Sequence, residues 1–178
     1  MKLIIIIYTF ISSFVIFSQN TWQEYSKEKK ILIDIHKTSI HKIQNFTLDI
    51  IWDTELSYSE NIGYYGGIKK LTIYKGNKVI QVINNIEDNI ALGNILFNFY
   101  DYNLDGHIDF TLPINSRWLT YYIFNQQTNK FEHKKEWDYL RIQKIDKKNK
   151  RILTIPDGNA YESNRKTYQI RGMNLIKI

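Results

Sequence analysis

The sequence predicts an all-β fold of antiparallel hairpins in a single domain, and three observations carry that expectation. Apolar stretches are short, rich in β-branched and aromatic residues, and separated by turn-forming Gly, Asn and Asp. One segment reads as a hairpin outright: residues 70–74, the turn Lys75-Gly76-Asn77-Lys78, then residues 79–83. No long stretch holds the 3.6-residue period of an amphipathic helix, which argues against a bundle or an α/β enzyme core.

Taken in order, the chain starts with Lys2 and an almost unbroken apolar run over residues 3–17, followed by the small and polar exit Ser18-Gln19-Asn20. A short basic start, an apolar run below the roughly 20 residues of a membrane span and a polar exit are the marks of a signal peptide. Residues 1–19 are expected to be that peptide, leaving residues 20–178 as one all-β domain, exported to the periplasm or secreted. Residues 30–36 and 46–52 are strand candidates, the first by alternation and the second by its β-branched and aromatic content. Residues 57–67 carry Tyr58, Tyr64, Tyr65 and three glycines and read as an aromatic-decorated loop. After the 70–83 hairpin, residues 86–92 form a helical turn or a strand connector, and residues 95–100 read as a strand. Residues 118–124 form another strand, 125–129 a polar turn, and 140–155 a hairpin around 146–149. Residues 156–159 turn the chain, and 166–171 with 175–178 close it as strands.

The ten residues Asp101-Tyr-Asn-Leu-Asp-Gly-His-Ile-Asp-Phe110 are the most specific chemistry in the chain. Asp101, Asn103 and Asp105 fall at positions one, three and five of a calcium loop. Gly106 supplies the turn at position six, His107 its backbone carbonyl at seven, and Asp109 the closing oxygen at nine. An EF-hand would need Glu at position twelve, where this chain has Leu112. The preceding residues are strand-like, so the loop is expected to be short and strand-flanked, as in the calcium loops of extracellular β-propeller repeats. The competing reading is a metal-free Asx-type turn, since Asp, Asn and Gly favour turns without any ion.

With no cysteine, the chain has no disulfide, thiolate metal site or cysteine nucleophile. An exported domain then depends on its core and on any bound ion, and calcium is plentiful outside the cytoplasm. The formal charge of +6 becomes +5 once Lys2 is lost, 23 basic against 18 acidic residues. The excess sits near residues 27–30 and 147–151. In an exported protein it reads as ordinary solubility or an anionic partner, not as nucleic-acid binding. His36, His41, His107 and His133 lack zinc-ligand spacing, and Gly63, Gly66 and Gly67 lack the context of a phosphate loop. No nucleophile elbow is present. The carboxylate pairs Asp53 with Glu55 and Glu132 with Glu136 have no distinguishing context, so the expectation is a protein that is not an enzyme.

Four Trp, 13 Tyr and nine Phe exceed what one small core needs. Trp and Tyr are favoured interface anchors, which makes Tyr64, Tyr65, Trp118 and Tyr121 the partner-binding candidates. Core packing is the competing reading of each.

The stretch from the loop to the C-terminus resembles a family of exported bacterial proteins typified by a periplasmic immunity protein. The matching features run in order: the D-x-N-x-D-G-x-x-D loop, the strand Tyr121-Tyr122-Ile123-Phe124, the Lys130-Phe131 pair, and the Leu140 region leading to Ile145-Asp146. A basic turn with Lys150-Arg151-Ile152, then Tyr168 and Leu175-Ile176, completes the pattern. That protein inhibits a lysozyme-like effector delivered by a type IV secretion system. The resemblance implies a β-propeller-like fold with bound calcium, a β-sandwich-like layout being the other arrangement open to these hairpins. It covers roughly the last 80 residues, and residues 20–95 carry none of it. This chain also lacks the Cys that would tether it to lipid. The expected function is an exported calcium-binding inhibitor whose partner is a secreted peptidoglycan hydrolase, with neither nucleic acid nor membrane insertion after cleavage. The alternative is a calcium-stabilised surface module that binds glycans or mediates adhesion.

Overall fold

Residues 46–52 alternate Phe46, Leu48, Ile50 and Trp52, all buried, with Thr47, Asp49 and Ile51 facing outward, the period of a strand with one dry face. This local rule is repeated through a computed structural model that describes residues 20–36, 39–52, 57–59, 63–65, 67–86, 94–114, 118–155 and 165–178. The fold is all-β and sandwich-like: three antiparallel sheets that do not close into a barrel, with no α-helix among the described residues.

In chain order the strands are β1 (Gln23–Glu24), β2 (Ile31–His36), β3 (Ser39–Ile43), β4 (Phe46–Trp52), β5 (Ser57–Ser59), β6 (Gly63–Tyr65), β7 (Ile68–Lys75) and β8 (Lys78–Ile86). They continue with β9 (Asn94–Tyr100), β10 (Asp109–Pro113), β11 (Leu119–Asn125), β12 (Lys130–His133), β13 (Ile142–Asp146), β14 (Arg151–Thr154), β15 (Lys166–Arg171) and β16 (Asn174–Lys177). A single 3-10 turn, Tyr25–Lys27, follows β1. Three sheets are up-and-down meanders in sequence order. The first runs β3-β4-β7-β8, the central one β9 to β12, and the last β13 to β16. The N-terminal strands extend the later two: β2 lies beside β9 and β1 beside β13.

The hairpin expected at 70–83 is present and longer, with Lys75 paired to Lys78 across Gly76-Asn77 and a register shift between Ile73 and Tyr74. Gly76 has φ 60°, a left-handed backbone that glycine adopts without Cβ strain. Residues 57–67, expected as loop, contain the small hairpin β5–β6, in which Tyr58 pairs with Tyr64. Strands β3 and β10 were not foreseen. Residues 1–19, 87–93 and 156–164 lie outside the described residues, and with them the signal peptide, most of the 86–92 connector and the 156–159 turn. None of the described helices is long and apolar enough to cross a membrane.

Two cores account for most of the aromatic surplus. Between the first and central sheets, Phe46, Phe97, Phe99, Phe110, Phe124 and Phe131 pack with Leu48, Ile50, Leu71 and Ile73. Ring centroids stand 5.0 Å apart for Phe110 and Phe131, and 5.4 Å for Phe46 and Phe124. Between the central and last sheets lie Tyr100, Tyr102, Tyr121, Ile123, Trp137, Ile145, Ile152 and Ile170. The central sheet is therefore dry on both faces, and β11 is buried without a break from Thr120 to Phe124. A strand covered on both faces needs a continuous apolar run where a one-faced strand needs alternation. Each fully buried Phe or Ile adds about 1.5–3 kcal/mol over leaving it in water.

Candidate metal centre

The β9–β10 connection carries the acidic loop. Tyr100 ends β9 and pairs with Asp109, the first residue of β10, so residues 101–108 are held at both ends by one ladder. Leu104 at φ 57° and Gly106 at φ 91° take left-handed backbone. That curls the chain so that its amides face inward onto carboxylates.

Asp101 accepts through Oδ1 from the Asp105 amide and through Oδ2 from the Gly106 amide, both at 2.9 Å. Asp105 Oδ1 accepts from the His107 amide at 2.9 Å, and its Oδ2 accepts from Asn103 Nδ2 at 2.9 Å. Asp109 has no exposed surface. Its Oδ2 takes the amides of Tyr102 at 2.8 Å and Asn103 at 3.4 Å, and its Oδ1 takes that of Phe124 on β11 at 2.8 Å. Asp109 thus pins the loop to the central sheet. Burial pushes its carboxyl well above the ordinary carboxylate range; the Phe124 and Tyr102 amides pull it back, and the charges of Asp101 and Asp105 push it further up. Asp101 is likewise raised, chiefly by burial, with the Gly106 and Asp105 amides opposing.

One atom in this loop is not satisfied. Asn103 is 1% exposed, and its Oδ1 is buried without a hydrogen-bond partner. A buried carbonyl oxygen left without a donor costs about 1–3 kcal/mol, and an amide oxygen is a ligand that calcium accepts. Three carboxylates, that orphaned oxygen and the backbone carbonyl of His107 make an all-oxygen donor set suited to a hard cation. The fit lies in donor chemistry and not in a closed cage, because no three His, Asp or Glu side chains converge on one point among the described residues. The carboxylates hold amides instead. Position twelve of the loop numbering, Leu112, is fully buried in β10 opposite Thr120, so its place is a core strand.

The partner-binding candidates separate. Trp118, half-buried, sets its ring edge-on to Tyr139 at 5.6 Å. Tyr121 is 1% exposed, packs 5.0 Å from Tyr102 and 5.9 Å from Trp137, and donates its hydroxyl to the Leu140 carbonyl at 3.2 Å. It belongs to the second core, which corrects its assignment as a surface anchor. Tyr64 and Tyr65 lie in β6, whose backbone pairs with β5; their side chains lie outside the described residues. Tyr139 was missed by sequence reasoning. It is 57% exposed and sits at φ 63°, in a turn whose backbone requirement the side-chain pattern does not reveal.

The paired carboxylates are occupied separately. Glu132 accepts from Asn125 Nδ2 at 2.6 Å and pairs with Lys134 at 3.2 Å, and its carboxyl is held below the ordinary range, first by the Asn125 bond. Glu136 Oε1 accepts the Leu175 amide at 2.9 Å. Asp53 and Glu55 lie outside the described residues. His41 contacts Ser39 Oγ at 2.8 Å, and His133 bonds Asp138 at 2.7 Å while stacking on Tyr122. Comparison with known protein families, curated proteins and solved structures finds no match.

Proposed function

We propose that this is an exported calcium-binding protein that works by binding another protein, an inhibitor or immunity protein acting on a peptidoglycan hydrolase. The observation that carries the binding reading is the Trp118–Tyr139 pair. A non-glycine residue in left-handed backbone costs about 1–2 kcal/mol, and here that conformation holds a Tyr with more than half its surface in water. The Tyr139 amide donates to the Leu119 carbonyl at 3.3 Å, and the Trp118 ring buttresses the side chain. An exposed aromatic held in a fixed backbone conformation and buttressed by a second ring suits an interface anchor. Hydrolase clefts that cleave glycosidic bonds carry paired carboxylates, and the basic excess of this chain suits such a surface. The resemblance of the last 80 residues points the same way.

Calcium supports the reading through stability. The ion relieves the orphaned Asn103 oxygen and the repulsion among Asp101, Asp105 and Asp109. A second reading, a calcium-stabilised glycan-binding or adhesion module, is favoured by a cleft beside the loop lined by Asp105, Phe124, Gln126, Gln127 and Arg171. The deciding experiment mixes the mature protein, with calcium, with a secreted hydrolase encoded beside it. The inhibitor reading expects a stable complex and loss of peptidoglycan cleavage, with Tyr139→Ala weakening both. No complex with any neighbouring hydrolase, alongside calcium-dependent hits on a glycan array, selects adhesion instead.

A further inference from the structure

The last sheet and the central sheet leave a cleft of about 460 Å³ between the turn after β11 and the β15–β16 turn. Asp105 of the acidic loop and the buried Phe124 also line it. Its size lies within the roughly 300–1,000 Å³ of small-molecule sites.

One wall is already fixed. Asn125 Nδ2 donates to Glu132, its Oδ1 accepts the amides of Gln127 at 2.9 Å and Thr128 at 3.3 Å, and Glu132 is neutralised by Lys134. Both Asp105 oxygens are engaged by Asn103 and the His107 amide. The other wall is open. Arg171 is exposed, and its guanidinium makes no hydrogen bond or ion pair to a described residue. The side-chain amides of Gln126, Gln127 and Asn174 are equally uncommitted among the described residues. The cleft therefore presents one open positive charge in a fork geometry among several amides that both donate and accept.

We infer that this cleft is a binding site for an acidic saccharide, a sugar unit carrying a carboxylate and neighbouring hydroxyl or acetamido groups. Arg171 takes the carboxylate through paired N–H donors. The amides of Gln126, Gln127 and Asn174 take hydroxyls and acetamido groups, which both donate and accept. Glu132 is held by Asn125 and Lys134 and both Asp105 oxygens already accept hydrogen bonds, which leaves Arg171 as the cation in the cleft with no carboxylate partner among the described residues. The site is separate from the Trp118–Tyr139 pair and holds whether or not a hydrolase partner exists.

The test uses the mature protein in calcium buffer, without any partner, and measures binding by titration calorimetry and amide chemical-shift changes. The probes are a hyaluronan tetrasaccharide, which carries uronate and acetamido groups, and diacetylchitobiose, which carries acetamido groups alone. Saturable binding of the tetrasaccharide is expected, at least about tenfold tighter than chitobiose, with Arg171→Ala weakening it about tenfold and Arg171→Lys less. Shifts confined to residues 125–127 and 171–174 support the site. Should Arg171→Ala fail to fold by its melting curve, Gln126→Ala in the facing turn supplies the same readout. No saturable binding, equal affinity for chitobiose, or a loss below about threefold in the folded variants overturns the inference.

Discussion

Removing the Asp109 side chain is expected to destabilise the protein more than removing either other loop carboxylate, with no metal present. Asp109→Ala deprives three amides of their acceptor: Tyr102 and Phe124 at 2.8 Å and Asn103 at 3.4 Å. The site is fully buried, so the amides lose their acceptor away from bulk water. Each amide left unpaired in such a place costs about 1–3 kcal/mol. The two short bonds alone imply about 2–6 kcal/mol. Against this stands the relief of a carboxyl that burial desolvates, which makes its charge costly there and pushes its pKa up. The net expectation is a loss of about 2–4 kcal/mol. Asp105→Ala removes a half-buried carboxylate whose bonds to the His107 amide and Asn103 are nearer solvent, and should cost about 1 kcal/mol. Urea unfolding in excess chelator, followed by Trp fluorescence, measures both. If Asp109→Ala loses less than about 1 kcal/mol, or no more than Asp105→Ala, the clamp reasoning is refuted.

Chelation of the wild-type protein should lower its melting temperature, since an ion at a hundred times its dissociation constant adds about 2.7 kcal/mol. Asp105→Ala should abolish that response, whereas an unchanged wild-type melting curve would establish the loop as a metal-free turn. Mass spectrometry of the native protein should find a new N-terminus between Ser18 and Thr21; intact Met1 in the cytosolic fraction would contradict export. Burial pushes the Asp146 carboxyl up, but hydrogen bonds from Asn149, Arg151 and Thr21 outweigh it and hold the group below its ordinary range. Its stabilisation is therefore present above the unfolded value near pH 4 and lost as pH falls through the lower folded value. Acid titration of stability should be shallower below about pH 4 in Asp146→Asn than in wild type, and identical acid limbs would count against it. Tyr139→Gly should relieve left-handed strain and leave stability within about 1 kcal/mol of wild type while weakening any hydrolase complex; a larger loss on melting would show that the ring is structural.

The elements that were legible in the sequence are those whose information is local. The 70–83 hairpin has its turn residue, Gly76, and β-branched flanks; β4 has its β-branched and aromatic content; the acidic loop has its spacing. Strand β10 hides behind the loop because Asp109, a metal-ligand candidate, is also the first residue of the ladder with Tyr100. Strand β3 escaped because Ile40 points to solvent at 68% exposure and only Ile43 is buried, leaving no dry face to read. The surplus of rings was counted against one core, and the fold has two. On β11 consecutive residues Tyr121 and Tyr122 face different cores, so alternation could not separate a surface Tyr from a packed one. In the loop, spacing names the donors but not where they point, and the carboxylates turn to backbone amides before any ion is considered.

The N-terminal segment closes sheets whose other strands are made much later. Glu28 meets Lys147 across 119 positions of sequence, and Thr21 meets Asn149 across 128; β1 and β2 have no neighbour in their sheets until β13 and β9 exist. Loop closure over such spans comes late and slowly in folding. At ribosomal speeds of about 5–20 residues per second, the first strands wait roughly ten seconds for their partners. Until β9 exists β2 has no neighbour, and until the last sheet exists the face carrying Tyr121 and Ile123 is bare, the state in which β-rich chains aggregate. A chain cut short before β13 keeps that exposure permanently. The last fifth of the sequence thus decides whether β1 finds its sheet and whether the second face of the central sheet is covered.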